Sequence, residues 1–107
     1  MNRFSFVTIA LIVLLVDTAA LASGDAQAGK AKAQSCAVCH GVAGISSQPA
    51  TPHLAGQPAI YVNEQLQAYR SGKRQNAIMS VIAKPLTDRD IQDLAAWYAS
   101  IEIQVKQ

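Results

Sequence analysis

Two cysteines and a histidine in the first half of the chain have the types and spacing of a cofactor site. They form the run Cys36-Ala37-Val38-Cys39-His40, which is typical of covalent c-type haem attachment. Two thiols three positions apart can each add to one vinyl group of a haem. The imidazole that follows then supplies a nitrogen to the iron. The pattern therefore predicts one haem c, bound through Cys36 and Cys39, with His40 as an iron ligand.

Two other kinds of site use cysteines at this spacing. A redox-active disulfide of the thioredoxin kind needs a strand–helix context, and the sequence contains no sustained alternating apolar run that would predict strands. A structural zinc site needs four ligands, and the chain offers Cys36, Cys39, His40 and His53. Both sites stay open as alternatives, and haem attachment is favoured because the full Cys-x-x-Cys-His pattern rarely arises by chance and the chain has no other cysteines.

A second axial ligand is expected from the segment between residues 73 and 86. Met79 is the one methionine besides Met1, and a loop could bring its thioether to the iron face opposite His40. Ligation by histidine and methionine raises the reduction potential, as in electron-carrying cytochromes. The alternatives are His53 as the ligand, an open iron site, or Met79 as an apolar gap filler.

Three helices are expected to position these residues. The first spans about Ala26 to Cys36 with Asp25 as its cap, and Gly29 within it indicates a close approach by another element. The second spans about Pro58 to Ser71, and the third about Asp88 to Ile101. Thr87 caps the third helix with Asp90 three residues on, a weak form of the capping box. The segments 41–57 and 73–86 read as long loops that wrap around a cofactor.

The first 22 residues have the layout of a secretory signal peptide. Arg3 precedes an apolar run over residues 6–16, and Ala20-Leu21-Ala22 provides small residues for cleavage after Ala22. We therefore expect a signal peptide over residues 1–22, a domain over residues 23–107 and a periplasmic location. The alternative is an uncleaved anchor, although the run is shorter than the ~20 apolar residues of a membrane span.

The remaining 85 residues carry a mild charge and form one small domain. Without Arg3 and Asp17, eight basic residues face six acidic ones. This balance does not indicate nucleic acid binding, which requires a clustered basic face. A core this small is marginal without a disulfide, metal or cofactor, so a stabilising group is expected, and the cysteine motif favours haem.

Beyond the motif, the chain resembles the class I c-type cytochromes, most of all the cytochrome c4 and small bacterial cytochrome c553 group. The matching stretches cover nearly the whole domain: residues 29–33, 36–41, 52–57, 69–74, 78–80 and 94–98. The resemblance implies an all-α cytochrome c fold, with about three main helices and long loops around one covalently bound haem. Cytochrome c4 proteins carry two such domains, whereas this chain has one attachment motif.

The resemblance also implies roles for individual residues. Cys36 and Cys39 would form the thioether links, while His40 and Met79 would be the proximal and distal ligands. The carbonyl of Pro52 would orient the His40 ring, and Leu54 would pack on the haem. Gly29 would let the first helix cross the last one near Trp97 or Tyr98.

The function implied is that of a periplasmic carrier of single electrons between redox proteins, with no catalysis of its own. The alternative is an electron-accepting cytochrome subunit of a dehydrogenase complex, such as a flavocytochrome c sulfide dehydrogenase. An enzyme or gas sensor with an open iron is disfavoured, because ligation by Met79 leaves no position for a substrate. The expected partners are membrane or periplasmic oxidoreductases, with no nucleic acid and no membrane span after signal cleavage.

Overall fold

A computed structural model describes residues 24–107, which form five helices and no strand. In chain order the helices are α1 (Ala26–Lys32), α2 (Gln34–His40), α3 (Ala59–Ser71), α4 (Met79–Ala83) and α5 (Asp88–Ser100). The predicted all-α class is confirmed. The predicted signal peptide lies outside the described residues. Within residues 24–107, none of the helices combines the length and the apolar character needed to span a membrane.

Helices α3 and α5 begin and end close to the predicted positions. Pro58 precedes α3, and Gly72 ends it in the left-handed conformation at φ 83°. At the start of α5, the Thr87 hydroxyl accepts a hydrogen bond from the Asp90 N–H, and the Asp90 carboxylate accepts one from the Thr87 N–H. The capping box predicted there is confirmed, because both reciprocal bonds satisfy N–H groups that a helix start leaves free.

The sequence predicts one continuous first helix over residues 26–36, and this prediction is wrong. The structure has two seven-residue helices, and Ala33 between them has ψ −6°. The Cys36 N–H bonds back only three residues to the Ala33 carbonyl, which tightens the turn and redirects the chain. Helix α2 then continues to His40, so the whole haem-attachment motif from Cys36 onward is helical.

A second difference lies between α3 and α5, where the sequence predicts a long loop. Residues 79–83 of this segment form the short helix α4. The Asn76 side chain accepts hydrogen bonds from the N–H groups of Ile78 and Met79, both at 2.9 Å. This local capping starts a helix, and α4 packs against α3 alone among the described helices. Met79 is therefore the first residue of a helix, and not part of an irregular loop.

Helix α1 crosses α5 at Gly29, as the sequence predicts. A Cβ atom on Gly29 would lie 1.9 Å from the Asp93 carbonyl oxygen and 2.8 Å from the Trp97 Cβ. Only a residue without a side chain allows the two backbones to approach this closely.

An ion-pair network ties the same two helices together. The Asp93 carboxylate, only 2% exposed, accepts hydrogen bonds from Lys32 at 2.7 Å and from the Asp25 N–H at 2.8 Å. Arg89 lies 3.2 Å from it, and Lys32 also pairs with Asp90 at 2.9 Å. The Lys32 and Asp25 hydrogen bonds lower the pKa of Asp93. Its stabilising effect is therefore present above the usual carboxylate pKa and is lost as the pH falls through the lowered value.

We expect Gly29→Ala to destabilise the domain by about 2 kcal/mol or more. The new methyl group would overlap backbone atoms of α5, so the overpacking cost should lie at or above the upper end of the usual ~1–3 kcal/mol, against a gain of ~1 kcal/mol in helix propensity. Chemical denaturation followed by circular dichroism measures the change. Gly72→Asn is the control, because nothing lies within 4 Å of the added Cβ atom and asparagine adopts the left-handed conformation at helix ends at little cost. A Gly29→Ala domain as stable as the wild type would contradict the close crossing.

The core of the described domain is thin. Eight apolar residues are buried, and four of them are alanines: Ala33, Ala55, Ala83 and Ala95. The larger buried side chains are Val62, Ile91, Leu94 and Tyr98. Alanines bury little apolar area, so these contacts alone give limited stabilisation. That the domain depends on an additional stabilising group stays a prediction.

Candidate haem-attachment site

Helix α2 places the two cysteines and His40 within two helical turns. Cys36 and Cys39 are free thiols and are both partly buried. Gly41 ends the helix directly after His40, with φ 85°, where a Cβ atom would meet the Ile45 carbonyl oxygen at 2.0 Å. The chain can therefore turn back sharply over the end of α2, and it brings the 41–57 loop beside His40.

The His40 ring is fixed by a carbonyl of this loop. His40 is buried, at 8% exposed, and its Nδ1 lies 2.9 Å from the Pro52 carbonyl oxygen. A carbonyl oxygen only accepts, so Nδ1 carries the hydrogen and donates it. The other ring nitrogen, Nε2, is then left with its lone pair. This is the tautomer and the orientation that a metal-binding histidine requires.

The loop that supplies Pro52 is itself tied to α2. The Ser46 hydroxyl donates to the Cys39 carbonyl at 3.0 Å, and the Ser46 N–H donates to His53 Nδ1 at 2.9 Å. His53 is exposed, and its accepting nitrogen is engaged in this bond. Within residues 24–107, no three His, Cys, Asp or Glu side chains converge as a metal cluster. The four zinc ligands considered from the sequence are therefore not brought together.

Met79 lies on a helix that does not contact the attachment helix. Its side chain is partly buried at the start of α4. Among the described helices, α2 and α4 do not pack against each other, and α4 contacts α3. His40 and Met79 thus lie on helices that do not contact each other, and ligation of one iron by both stays a prediction.

Arg70 connects the two ends of the segment that contains α4. Its guanidinium donates to the Leu86 carbonyl at 2.9 Å and to the Asp88 carboxylate at 2.6 Å. These bonds join the end of α3 to the start of α5, so residues 73–86 form a closed loop with α4 within it. The Arg70 bonds fix the two ends of this loop, and the Asn76 side chain fixes the start of α4. Together they set the position of Met79.

The residues present fit a haem. Ten large apolar side chains of the described domain are exposed, in contrast to the alanine-rich core. Six of them lie on the segments that carry the predicted ligands: Val38, Val42 and Ile45 at α2 and its loop, and Ile78, Val81 and Ile82 at α4. Ile60 and Tyr61 lie on α3. Exposed apolar surface of this extent is typical of a binding site. The donor set of two thiols, an oriented imidazole and a thioether has the chemistry that haem c requires.

Several features of the site had no clear sequence signal. Leu54 packs against the buried cluster of Ala33, Leu94 and Tyr98, and the haem contact implied for it stays a prediction. The role of Ser46 depends on the fold of the 41–57 loop. Asn76 could have been found, because an asparagine two to three residues before a helical run is a capping signal.

Known proteins match this chain along most of the described domain. It is 43% identical over 83 residues to "Cytochrome c-554(548)" of Halomonas halodenitrificans, covering 75% of the chain and 100% of that protein. The solved structure of reduced recombinant cytochrome c4 from Pseudomonas stutzeri superposes with a TM-score of 0.70 at 39% identity, covering 74% of this chain and 46% of that one. The chain thus spans all of the first protein and about half of the second.

A third relative is named for its role beside an enzyme. The "Thiosulfate dehydrogenase electron acceptor" of Thiomonas intermedia is 40% identical over 72 residues, covering 66% of this chain and 33% of that protein.

The family model described as "Cytochrome c" matches residues 26–102, which span all five helices and the Cys36–His40 motif. The helical fold, the oriented His40 and this match agree, and the chain belongs to the cytochrome c family.

Proposed function

We propose that this protein is a mono-haem c-type cytochrome that carries single electrons between redox partners in the periplasm. Residues 1–22 are its signal peptide and residues 23–107 its haem domain. Cys36 and Cys39 hold the haem covalently, and His40 and Met79 bind its iron. The observation that carries the proposal is the hydrogen bond from His40 Nδ1 to Pro52, because it leaves Nε2 free next to two thiols at attachment spacing.

The side chains of this domain would tune and shield the cofactor. When bound, the haem supplies an iron that changes its charge by one electron. The Pro52 carbonyl keeps the His40 ring in one orientation, so the ring need not move between the two oxidation states. Apolar side chains on α3 and α4 would exclude water. Such a site, with both axial positions filled by side chains, favours electron transfer over substrate binding.

Met79 is favoured over His53 as the second ligand by the contacts of both residues. His53 follows Pro52, whose carbonyl holds the ring of the first ligand, and its Nδ1 already accepts a hydrogen bond from Ser46. Met79 lies on α4, which does not contact α2. The Met79 thioether, coming from α4, would therefore bind the axial position of the iron that His40 leaves free.

The test is spectroscopic, on the exported wild-type protein. The haem should remain bound after acid–organic extraction, and the oxidised protein should show the weak long-wavelength absorption of a sulfur–iron bond. It should exchange electrons rapidly with inorganic redox reagents, while the reduced protein should bind carbon monoxide sluggishly. Fast binding of carbon monoxide at neutral pH would show an open iron and would assign the protein to enzymes or sensors.

A second candidate is the electron-accepting subunit of a dehydrogenase complex, such as a flavocytochrome c sulfide dehydrogenase. It is favoured by the similarity to a relative named as an electron acceptor of thiosulfate dehydrogenase. The haem site would be the same in both cases, and catalysis would lie on another chain. Mild purification from the native source distinguishes the two, because a subunit co-purifies with a flavin- or haem-containing dehydrogenase and a free carrier does not.

A further inference from the structure

Tyr98 on α5 is the one tyrosine fully enclosed by the described domain. It is 2% exposed and packs in the buried cluster with Ala33 and Leu94. Its carbonyl accepts a hydrogen bond from the Gly56 N–H at 2.8 Å. A Cβ atom on Gly44 would lie 3.1 Å from its Cδ1, so the 41–57 loop covers one side of the ring. The orientation of the ring, and with it the position of the hydroxyl, is therefore fixed.

The hydroxyl of Tyr98 is buried and has no hydrogen-bond partner among residues 24–107. A buried donor without a partner costs free energy, because it loses its hydrogen bonds to water and gains none. A phenylalanine would fill the same space without this cost. The hydroxyl thus points to an acceptor that the free polypeptide does not supply.

Cys36 places a sulfur atom beside this buried tyrosine. It packs against the same buried cluster. Burial raises the pKa of Tyr98 well above its usual value, and the Cys36 side chain raises it further. Once Cys36 has formed a thioether, its sulfur carries two carbon substituents and no hydrogen. It can then only accept a hydrogen bond, and the Tyr98 O–H in the adjoining cluster is a buried donor without a partner among residues 24–107.

We infer that Tyr98 is a positioning residue whose hydroxyl donates a hydrogen bond to the thioether sulfur of Cys36. The inference rests on the proposed function, because the thioether exists only with the haem attached. A donor on this sulfur draws electron density away from the haem and so stabilises the reduced state. Within residues 24–107, Cys36 packs against the cluster that contains Tyr98 and Cys39 does not, so the effect belongs to the Cys36 link.

The test compares Tyr98→Phe with the wild type as haem-containing proteins. We expect the equilibrium constant for one-electron reduction to fall two- to threefold, which is about 20–30 mV at 59 mV per tenfold change. The sulfur–iron band should be unchanged, and the denaturation midpoint should not rise. Tyr69→Phe is the control, because that ring is partly exposed against Arg74, and it should leave the potential unaltered.

The same comparison in a Cys36→Ala protein identifies the acceptor of the hydrogen bond. In Cys36→Ala, where Cys39 alone holds the haem, Tyr98→Phe should have no further effect on the potential. An equal shift in that background would overturn the inference, because another group would then be the acceptor. So would an unchanged potential with a raised denaturation midpoint in the single Tyr98→Phe variant, since the hydroxyl would then have no partner. A wild-type protein without covalent haem would instead overturn the proposed function.

Discussion

Replacing both Cys36 and Cys39 with serine is expected to abolish covalent haem and to leave the exported domain largely unfolded. The buried core has four alanines among its eight apolar residues, and the haem would supply most of the remaining apolar contact. We expect a loss of about 5 kcal/mol or more, the lower end of the stability of natural domains. Mass spectrometry after acid–organic extraction measures attachment, and circular dichroism measures the helix content.

The matched control for this change lies between the two cysteines. Ala37→Ser adds one hydroxyl within the same helix and leaves both thiols in place, so haem attachment and helix content should be retained. Cys36→Ser and Cys39→Ser alone should each keep a haem on the remaining link. A double variant that stays fully helical without haem would show that the alanine-rich core suffices by itself.

Replacing Met79 is expected to change the iron site without removing the haem. In Met79→Ala the sulfur–iron band should disappear, and the reduced protein should bind carbon monoxide rapidly, because one axial position opens. Met79→His should lower the reduction potential on the order of 0.1 V or more, since axial ligands set haem potentials over ~0.8 V. Absorption spectroscopy and a potentiometric titration measure both changes.

Two variants separate the ligand from its surroundings. Ile78→Ala removes an exposed apolar side chain beside Met79 and should leave the band in place. His53→Ala should also leave it, because the Nδ1 of His53 accepts from the Ser46 N–H. If the band survives in Met79→Ala, the sixth ligand is another group.

The sequence predicts those parts of the fold whose signals are local. Pro58 and Gly72 mark the ends of α3, and Thr87 with Asp90 marks the start of α5, because capping depends on neighbours in the chain. Gly29 also gives a local signal. A glycine within a run of alanines lowers the stability of the helix, so its presence indicates a position where a side chain would not fit.

The features that the sequence did not predict depend on contacts between distant segments. The break at Ala33 separates α1, which packs on α5, from α2, which carries the cysteines, and nothing in the alanine-rich run marks it. The burial of Asp93 depends on Lys32 and on the Asp25 N–H, 61 and 68 residues away. In the site, Pro52 and His40 could be paired only by family resemblance, because they are twelve positions apart and an irregular loop joins them.

The small size of α4 has a consequence for how the protein could open. This five-residue helix packs on α3 alone among the described helices, whereas α5 packs on both α1 and α3. Segments with few contacts exchange their amide hydrogens through local fluctuations, well below the free energy of global unfolding. If Met79 is the ligand, it would therefore leave the iron through opening of residues 73–86 while the α1–α5 pair stays folded. Added imidazole would then bind at a rate set by this local opening, and strengthening the α1–α5 crossing would not slow it.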